Sequence, residues 1–457
     1  MAKDEKKKKA KSKDKVKSGG KAKKSKQAEA SAVSAPAPAP VKAPLKVSPL
    51  APAAFPDLPV IDGVRFAAGE AGVRYRNRTD VMLAEIAAGA TIAGVFTRSA
   101  TRSAAVLDCQ EKLAALPEVP QNGFAIVVNS GNANTFTGAR GASDVAVIAQ
   151  AAAAALKIPA GHVFTSSTGV IGEPLPAEKI TAVLPVLADG LDAAKAAVAA
   201  RAIMTTDTFP KGAMAEVEIG GVPVRIAGFA KGSGMIAPDM ATMLGYVFTD
   251  AAVTQDGLQA MLSATTKTSF NAVTVDSDTS TSDTVLLAAT GRAGNVPIAS
   301  ARSVDGKVFF AALQAVMQDL ALQIVRDGEG ATKLVEVQVT GAKSARDADK
   351  VARAIANSPL VKTAIAGEDP NWGRIVMAVG KSGAAADRDL LTIRFGDIVV
   401  AEKGWRAESY SEEAGATYMQ GQELVIGVDL GLGRGAATVW TCDLTHAYID
   451  INADYRS

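Results

Sequence analysis

Short apolar runs, broken by glycine and polar residues, predict a series of β-strands. Two of these runs, 215–219 and 222–227, alternate between apolar and polar positions on either side of Gly220-Gly221. A glycine pair at this place is typical of a two-residue hairpin turn, because both central positions need a positive φ. Further strands are predicted at residues 123–129, 163–166, 243–248, 284–289, 334–339 and 375–379.

Helical spacing of apolar positions predicts longer elements between these strands. Ser143 or Asp144 can cap an alanine-rich helix that reaches about Lys157. The strands and helices follow no strict βαβ rhythm and show no repeat of fixed period. We therefore expect an α/β fold with mixed sheets and packed helices. The other helices are predicted at 177–189, 192–203, 255–268, 306–326 and 345–356.

The first 56 residues differ in composition from the rest of the chain. Residues 1–27 hold 13 lysines against three acidic residues, and an Ala-Pro repeat follows at 35–40. This composition buries too little apolar surface to offset the entropy of ordering, so we predict a disordered tail over 1–56. A nucleic-acid or acidic-membrane anchor is the alternative to a solubilising extension. No aromatic side chain lies among the lysines to stack on bases, which favours the solubilising extension without a nucleic-acid partner.

The chain as a whole has the composition of a globular protein. Of its 457 residues, 48% are apolar and 21% are charged, which is enough apolar material for a core. No run of 18 consecutive apolar residues occurs, so no membrane span is predicted. No hydrophobic segment follows the first lysines, and two cysteines, Cys109 and Cys442, fit a reducing compartment. We expect a cytoplasmic protein.

Histidine is scarce, and this limits the chemistry available to the chain. His162 and His446 alone cannot form a zinc site of the usual ligand count, so we expect no metal. A catalytic triad built on imidazole is disfavoured for the same reason. If the chain is an enzyme, its general base is expected to be another group.

Two glycine-rich segments resemble nucleotide-binding loops without matching them. Gly380-Lys381-Ser382 lacks the earlier glycine of a phosphate loop, because residue 375 is Ile. In residues 431–435 (GLGRG) the third glycine comes one residue too early for a dinucleotide-binding turn. The HExxH, CxxC and GxSxG patterns are also absent from the sequence, so none of these sites is predicted.

Four segments concentrate glycine and polar residues in a way that a plain core does not require. Taken singly, each is explained by turns or by the β-propensity of threonine. Their combination in a chain with so little histidine favours a chemical site. The segments are 165–172 (TSSTGVIG), 204–211 (MTTDTFPK), 231–244 (KGSGMIAPDMATML) and 326–333 (RDGEGATK).

Thr242 offers a base that is not imidazole. A threonine hydroxyl in mid-chain is a poor nucleophile and needs an adjacent base. If the Ala241–Thr242 bond breaks, Thr242 gains a free α-amino group, which titrates at about 7.7–8.0 and can act as that base. The cut can be made by the chain itself, through attack of the Thr242 hydroxyl on the Ala241 carbonyl and hydrolysis of the resulting ester.

The segment at 231–244 resembles the autocleavage segment of the ornithine acetyltransferase family, also called glutamate N-acetyltransferases or bifunctional arginine-biosynthesis enzymes. The likeness covers about residues 58–457 in order and spacing, and its long exact runs make it specific. Only the basic tail lies outside it. The other matching runs are NSGNANTFTG (129–138), STGVIG (167–172), IMTTDTFPK (203–211), SFNAVTVDSDTSTSD (269–283), DGEGATK (327–333) and DPNWGR (369–374).

The resemblance implies a role for particular residues. Thr242, preceded by Ala241 at the cleavage site, is implied to be the nucleophile and the first residue of a second chain. Thr168 and Gly169 match the pair that forms an oxyanion hole from one hydroxyl and one backbone N–H. The implied substrate contacts are Thr208, with Thr205 and Thr206 as close alternatives, Lys231, Glu329, Asn452 and Ser457.

The resemblance also implies a reaction and an assembly. Thr242 would take the acetyl group of N-acetylornithine and pass it to glutamate, giving ornithine and N-acetylglutamate in arginine biosynthesis. No cofactor is implied, and acetyl-CoA as a further donor is left open. The catalytic unit would consist of an α chain (57–241) and a β chain (242–457), with two copies of each in a heterotetramer that has no membrane partner.

Two other classes of function stay open from the sequence alone. One is an amidohydrolase or aminopeptidase of the same self-cleaving type, in which water replaces glutamate as the acyl acceptor. The other is a non-catalytic binding protein whose basic tail contacts nucleic acid.

Overall fold

The structure is a computed structural model that describes residues 46–117, 120–237 and 243–453, and three β-sheets lie within these ranges. The first sheet has the order β1-β2-β4-β5, in which only β4 and β5 are parallel. Its strands are β1 (Val64–Gly69), β2 (Val81–Ile86), β4 (Phe124–Asn132) and β5 (Val163–Val170).

The second sheet has the order β3-β9-β8-β7-β6, with β8 and β9 parallel and the other pairs antiparallel. Its strands are β3 (Thr91–Phe96), β6 (Lys211–Ile219), β7 (Val222–Lys231), β8 (Leu244–Thr249) and β9 (Thr284–Ala289). The third sheet has the order β13-β12-β11-β14-β10-β15. Its strands are β10 (Leu334–Ala342), β11 (Thr392–Phe395), β12 (Ile398–Glu402), β13 (Trp405–Arg406), β14 (Glu423–Asp429) and β15 (Gly435–Cys442).

Eleven α-helices are present in the described ranges, and several begin at a residue whose side chain caps the first turn. Thr254, Ser303 and Ser344 each accept a hydrogen bond from a backbone N–H three residues later, which is the usual N-cap contact. The helices are α1 (Ala104–Ala115), α2 (Gly138–Leu156), α3 (Ala177–Asp189), α4 (Ala196–Ala202), α5 (Gln255–Thr268), α6 (Val304–Arg326), α7 (Ala345–Ala356), α8 (Pro359–Ala366), α9 (Trp372–Lys381), α10 (Glu412–Met419) and α11 (His446–Asn452).

The first two sheets pack face to face, and helices cover their outer faces. Phe66 of β1 meets Phe229 of β7 and Phe248 of β8 edge to face, with ring centroids 5.7 and 5.2 Å apart. Along β8, Tyr246 and Phe248 belong to this inter-sheet core, whereas Val247 belongs to the core under α5 and α6. The strand alternation therefore builds helix, sheet, sheet and helix layers. The third sheet has its own core with α7 and α9.

Helix α6 is long and apolar enough, by composition, to cross a membrane, the single such helix in the described ranges. Its buried side chains, among them Phe309, Leu313 and Leu320, belong to the core under the second sheet. Core packing therefore accounts for its apolar character.

The α/β class with mixed sheets is confirmed, and most predicted elements are present. Helices at 177–189, 255–268 and 345–356 and the strand at 284–289 have the predicted bounds. The glycine-pair hairpin is also confirmed, with φ of 58° at Gly220 and 83° at Gly221.

Three predictions need correction. The alanine-rich helix begins at Gly138, so neither Ser143 nor Asp144 caps it. The strand at 375–379 is wrong, because these residues lie inside α9, whose first turn is capped by Asn371. The helix predicted at 192–203 is shorter, because Asp192 forms a β-bridge to Phe66 and the helix begins at Ala196.

The predicted disorder of 1–56 is wrong for residues 46–56. Ser48 donates its N–H to Thr208 Oγ1 at 3.0 Å and its hydroxyl to the Arg326 carbonyl at 2.5 Å. Leu50 packs against the core under the second sheet, and Phe55 lies over Gly212. These apolar contacts and hydrogen bonds offset the entropy that residues 46–56 lose on ordering. The composition alone does not reveal such contacts. Residues 1–45 lie outside the described part of the chain.

We predict that deletion of residues 1–45 leaves thermal stability unchanged, whereas deletion of 1–56 lowers it. The longer deletion exposes the surfaces that Leu50 and Phe55 cover, at a cost of about 2 kcal/mol. Thermal unfolding of the two truncated proteins beside the full chain measures the difference. Equal melting temperatures for both truncations would contradict the packing of residues 46–56.

Candidate active site

A cavity of about 340 Å³ lies at the ends of β5 and β7, beside the loop that follows α6. All four of the glycine-rich and polar segments contribute to its wall, together with residues 280–282. The cavity is lined by Ala133, Thr168, Gly169, Val170, Ile171, Thr205, Thr206, Lys231, Ser233, Gly234, Met235, Ser280, Thr281, Ser282, Glu329 and Asn452.

Thr168 and Gly169 sit on an irregularity in the pairing of β4 with β5. Asn132 of β4 pairs with both Thr168 and Val170, so the register shifts at this point. Gly169 has a φ of +131°, and a Cβ there would lie 2.3 Å from the Gly131 carbonyl carbon. Only glycine permits this close approach. Such bulges re-aim side chains next to active sites, and here Thr168 lines the cavity while remaining 2% exposed.

Lys231, the last residue of β7, brings a buried amine to the cavity wall. Burial lowers the pKa of Lys231, and the nearby Lys211 ammonium adds to this effect. The carboxyl groups of Asp207, Asp283 and Glu329 oppose it without reversing the direction. The amine of Lys231 is therefore easier to deprotonate than an exposed lysine.

A fully buried ionic cluster lies behind Lys231. Lys211 Nζ is 2.6 Å from Asp207 Oδ1 and 2.6 Å from Asp327 Oδ2, and all three side chains are inaccessible to solvent. Asp207 Oδ1 also accepts the N–H of Gly232 at 2.6 Å. The cluster therefore ties the turn after Lys231 to α6, whose end Asp327 marks.

The two carboxylates of this cluster share one ammonium and differ in pKa. Burial works to raise the pKa of Asp207, but the charges of Lys211 and Lys231 and the hydrogen bonds to this carboxylate hold it at about 2. Burial raises the pKa of Asp327, and the attraction of Lys211 does not fully offset this. Asp207 is therefore the more acidic member of the pair.

Glu329 also lines the cavity, and contacts with two segments of the chain hold it in position. Its Oε2 accepts from Asn452 Nδ2 of α11 at 2.7 Å, and its N–H donates to the Ser233 carbonyl at 2.9 Å. Gly234 leaves room for this carboxylate, because a Cβ there would lie 2.4 Å from Oε2. Burial raises the pKa of Glu329, while hydrogen bonds from Asn452 and Thr206 act to lower it.

The structure brings five of the sequence-predicted site residues together around one cavity. These are Thr168, Gly169, Lys231, Glu329 and Asn452. Their roles stay predictions, since proximity alone assigns none.

Thr208 is the exception among the described site residues, because it belongs to the buried cluster and does not line the cavity. It donates its hydroxyl to Asp327 and accepts the N–H of Ser48. Thr205 and Thr206, the close alternatives, do line the cavity, and the Thr206 hydroxyl is 2.7 Å from that of Ser233. Ala241, Thr242 and Ser457 lie outside the described residues.

Several charged groups of this region were not assigned a role from the sequence. Asp207, Lys211 and Asp327 were visible only as members of polar segments, and Lys211 and Asp327 are 116 positions apart. Asp283 is wholly buried and accepts the N–H of Met243, the first described residue after Thr242. The only signal in the sequence was the presence of acidic residues in otherwise small and hydroxylic runs.

Neither histidine takes part in this site. His162 contacts the Gly123 carbonyl and stacks on Phe124, and His446 begins α11. In the described part of the chain no group of three or more His, Cys, Asp or Glu residues could hold a metal ion. A small cavity that combines hydroxyl groups, an amine and a carboxyl group is suited to acyl transfer between amino acids.

The chain belongs to the ArgJ family, which matches residues 65–457. An arginine biosynthesis bifunctional protein ArgJ from Ruegeria pomeroyi is 66% identical over 413 residues, covering 90% of this chain and 99% of that protein. The protein of the same name from Brucella suis is 56% identical, covering 90% of this chain and 99% of its own. A crystal structure of arginine biosynthesis bifunctional protein ArgJ from Bacillus halodurans is 46% identical with a TM-score of 0.45, covering 46% of this chain and 99% of that one.

We predict that Gly169→Ala lowers the free energy of unfolding by more than about 2 kcal/mol, because both its φ and the nearby Gly131 backbone oppose a side chain. Gly161→Ala is the matched control, since nothing lies within 4 Å of a Cβ at that position. Its effect should stay within about 0.5 kcal/mol. Thermal or denaturant unfolding measures both variants, and equal stabilities would contradict the described backbone.

We predict that Lys211→Met destabilises the protein by about 3–5 kcal/mol near neutral pH, because two buried carboxylates lose their counter-charge. The lowered pKa of Asp207 contributes stability above its unfolded pKa of about 3.9, and this is lost as the pH falls towards about 2. The difference in free energy of unfolding between Lys211→Met and wild type should therefore decrease below about pH 4.

The control for this variant is Lys350→Met, which removes a partly exposed lysine 3.4 Å from Asp347. Its effect should stay below about 1 kcal/mol. Denaturant unfolding between acid and neutral pH measures both proteins. If Lys211→Met differs little from wild type in free energy of unfolding at neutral pH, or if the difference grows in acid, Lys211 is not the counter-charge of this cluster.

Proposed function

We propose that this chain is an acyltransferase that moves the acetyl group of N2-acetyl-L-ornithine to L-glutamate, giving L-ornithine and N-acetyl-L-glutamate. The proposal is supported by one cavity in a chain of the ArgJ family. This cavity is lined by Thr168, Gly169, Lys231, Glu329 and Asn452. Relatives of this family are named arginine biosynthesis bifunctional proteins.

The nucleophile in this proposal is Thr242, after self-cleavage of the Ala241–Thr242 bond. Its new α-amino group accepts the proton of its own hydroxyl, which replaces the imidazole that the site lacks. The hydroxyl oxygen then bonds to the acetyl carbon of N-acetylornithine. The C–N bond breaks, and ornithine leaves with the proton that the α-amino group held.

The second half of the reaction reverses these roles. The amino nitrogen of glutamate bonds to the acetyl carbon and gives its proton to the α-amino group. The ester C–O bond breaks, and the α-amino group passes the proton to the Thr242 oxygen, which restores the hydroxyl. Both half-reactions pass through a tetrahedral oxyanion. We assign its stabilisation to the hydroxyl of Thr168 and the N–H of Gly169, and the loss of one such donor typically costs about 2.7–4 kcal/mol of barrier.

Charged groups on the cavity wall suit amino-acid substrates. In this proposal the Glu329 carboxylate, which accepts a hydrogen bond from Asn452, binds an amino group of ornithine. The Lys231 amine, which lines the cavity, pairs with a substrate carboxylate. The steps require no prosthetic group. The acetyl-threonine ester must be kept from water between the two half-reactions.

We propose that the fragments of 241 and 216 residues remain associated after cleavage. The second sheet supports this, because β3, β6 and β7 come from the first fragment and β8 and β9 from the second. Their separation would break the pairings of β3 with β9 and of β7 with β8. A heterotetramer of two copies of each fragment, located in the cytoplasm, is our proposal for the assembly.

Incubation with N-acetylornithine alone should add the mass of one acetyl group to the fragment that begins with Thr242. Intact-mass spectrometry under denaturing conditions measures this, and Thr242→Ala is the control that should remain one uncut chain without an adduct. Turnover without any acetyl adduct, or an adduct on the first fragment, would contradict the covalent mechanism.

The choice of acceptor and donor is measured with the same protein. With N-acetylornithine and glutamate, N-acetylglutamate should form in step with ornithine. Release of free acetate in its place would identify a hydrolase. Replacement of N-acetylornithine by acetyl-CoA distinguishes a recycling enzyme from a bifunctional one.

A further inference from the structure

The loop of residues 276–283 (DSDTSTSD), which we name the acidic loop, contacts the chain on both sides of the segment 238–242. Asp276 lies at its start and Asp283 at its end. Neither residue has a role in the acetyl transfer proposed above. Between them, Ser280, Thr281 and Ser282 line the cavity, so the loop connects both contacts with the candidate site.

Asp276 fixes the chain upstream of the segment. Its Oδ2 accepts the N–H of Met235 at 2.6 Å, and its Oδ1 accepts the N–H of Ile236 at 2.9 Å. Met235 has a φ of 56°, a left-handed conformation that a side chain such as methionine disfavours. Two backbone N–H groups that donate to one carboxylate therefore stabilise a backbone turn that the sequence does not favour by itself.

Neighbouring residues hold Asp276 and Ile236 in turn. The hydroxyl of Tyr448, on α11, donates to Asp276 Oδ2 at 3.2 Å. The Ile236 carbonyl accepts the N–H of Val275 at 2.8 Å and the hydroxyl of Thr274 at 3.1 Å. Ile236 is thus fixed through both its N–H and its carbonyl.

Asp283 fixes the chain downstream of the segment in the same manner. Its Oδ1 accepts the N–H of Met243 at 3.0 Å, and the Met243 carbonyl accepts the N–H of Thr284 at 3.2 Å. Leu244 then enters β8 opposite Lys231 of β7.

The burial of Asp283 argues for a positional role. The side chain is fully buried, and its Oδ2 has no hydrogen-bond partner among the described residues. Burial raises the pKa of Asp283 well above its usual range, although the Met243 N–H, the charge of Lys231 and a hydrogen bond with Ser280 act to lower it. A buried polar group with an unsatisfied oxygen costs stability, so its position beside Met243 argues for a role other than core packing.

We propose that Asp276 and Asp283 are positioning residues for self-cleavage, which fix the two ends of the segment that carries the Ala241–Thr242 bond. This inference rests on the proposed function. In the step they serve, the Thr242 hydroxyl oxygen bonds to the Ala241 carbonyl carbon, the C–N bond breaks, and the proton of the hydroxyl passes to the released nitrogen. Water then hydrolyses the ester. Fixed ends reduce the conformations that compete with the attacking geometry.

The test compares the rate at which freshly synthesised full-length chain converts to two fragments, followed on denaturing gels and by intact mass. Asp276→Ala and Asp283→Ala should slow conversion by about tenfold or more. Asp283→Asn keeps an oxygen acceptor for Met243 N–H and should restore conversion close to the wild-type rate. Asp276→Asn offers one acceptor oxygen in place of two and should fall between the alanine variant and wild type.

Asp278→Ala is the matched control, because Asp278 is an exposed carboxylate of the same loop and does not line the cavity. It should convert at the wild-type rate. Melting temperatures of all five variants are measured in parallel. If an alanine variant fails to fold, the conversion rates of Asp283→Asn and Asp276→Asn are compared with that of wild type, and this comparison tests the positioning role.

The outcomes separate this inference from the function on which it rests. If wild type is never cut at 241/242, the proposed function fails. If wild type is cut and both alanine variants convert at its rate, only the positioning role is overturned. Conversion of Asp283→Asn as slow as that of a folded Asp283→Ala would also overturn it, because an acceptor at Met243 N–H would then not suffice.

Discussion

The antiparallel pairing of β7 with β8 is the constraint on which the rest of the site depends. It sets Lys231 opposite Leu244, so the chain that leaves β7 must return to the same place thirteen residues later. Lys231, where this connecting segment begins, lines the cavity. Since β7 and β8 also bury Phe229, Tyr246 and Phe248 between the two sheets, the pairing cannot shift without loss of the inter-sheet core.

Buried charge sets the chemistry of the region that this pairing creates. Lys231, Lys211, Asp207, Asp327 and Asp283 are all nearly inaccessible to solvent, and each affects the protonation of a neighbour. Such clusters cost more than they contribute unless every partner is present. Their position behind one cavity wall indicates that the fold retains them to hold Lys231 and the turn at Gly232, rather than for stability alone.

Much of the fold was predictable from the sequence where local signals agree. Helix α7 combines a Ser344 cap with a clear helical period, and the hairpin at Gly220-Gly221 has the one turn that its glycines favour. Residues 375–379 were predicted as a strand because IVMAV has high β-propensity. They form a helix because Asn371 caps its first turn, and one face of the helix stays exposed. Residues 46–56 order through contacts with Thr208 and Gly212, which composition cannot reveal.

The candidate site was predictable in part because its members occur in runs that resemble one family. Thr168, Gly169, Lys231 and Glu329 were assigned in that way and lie around one cavity. The supporting carboxylates were not, because their function depends on partners far away in sequence. Asp327 acts through its ion pair with Lys211, and Asp276 acts through its hydrogen bond with Met235. No rule of sequence spacing predicts either pair.

We propose that a main-chain amine, released when the chain cuts itself, acts as the base of the reaction. N-terminal sequencing of fully active protein is the decisive experiment. We expect one fragment whose sequence begins TMLGY, in equal amount to the fragment that precedes it. Full activity in a single uncut chain, with no TMLGY sequence detected, would contradict it.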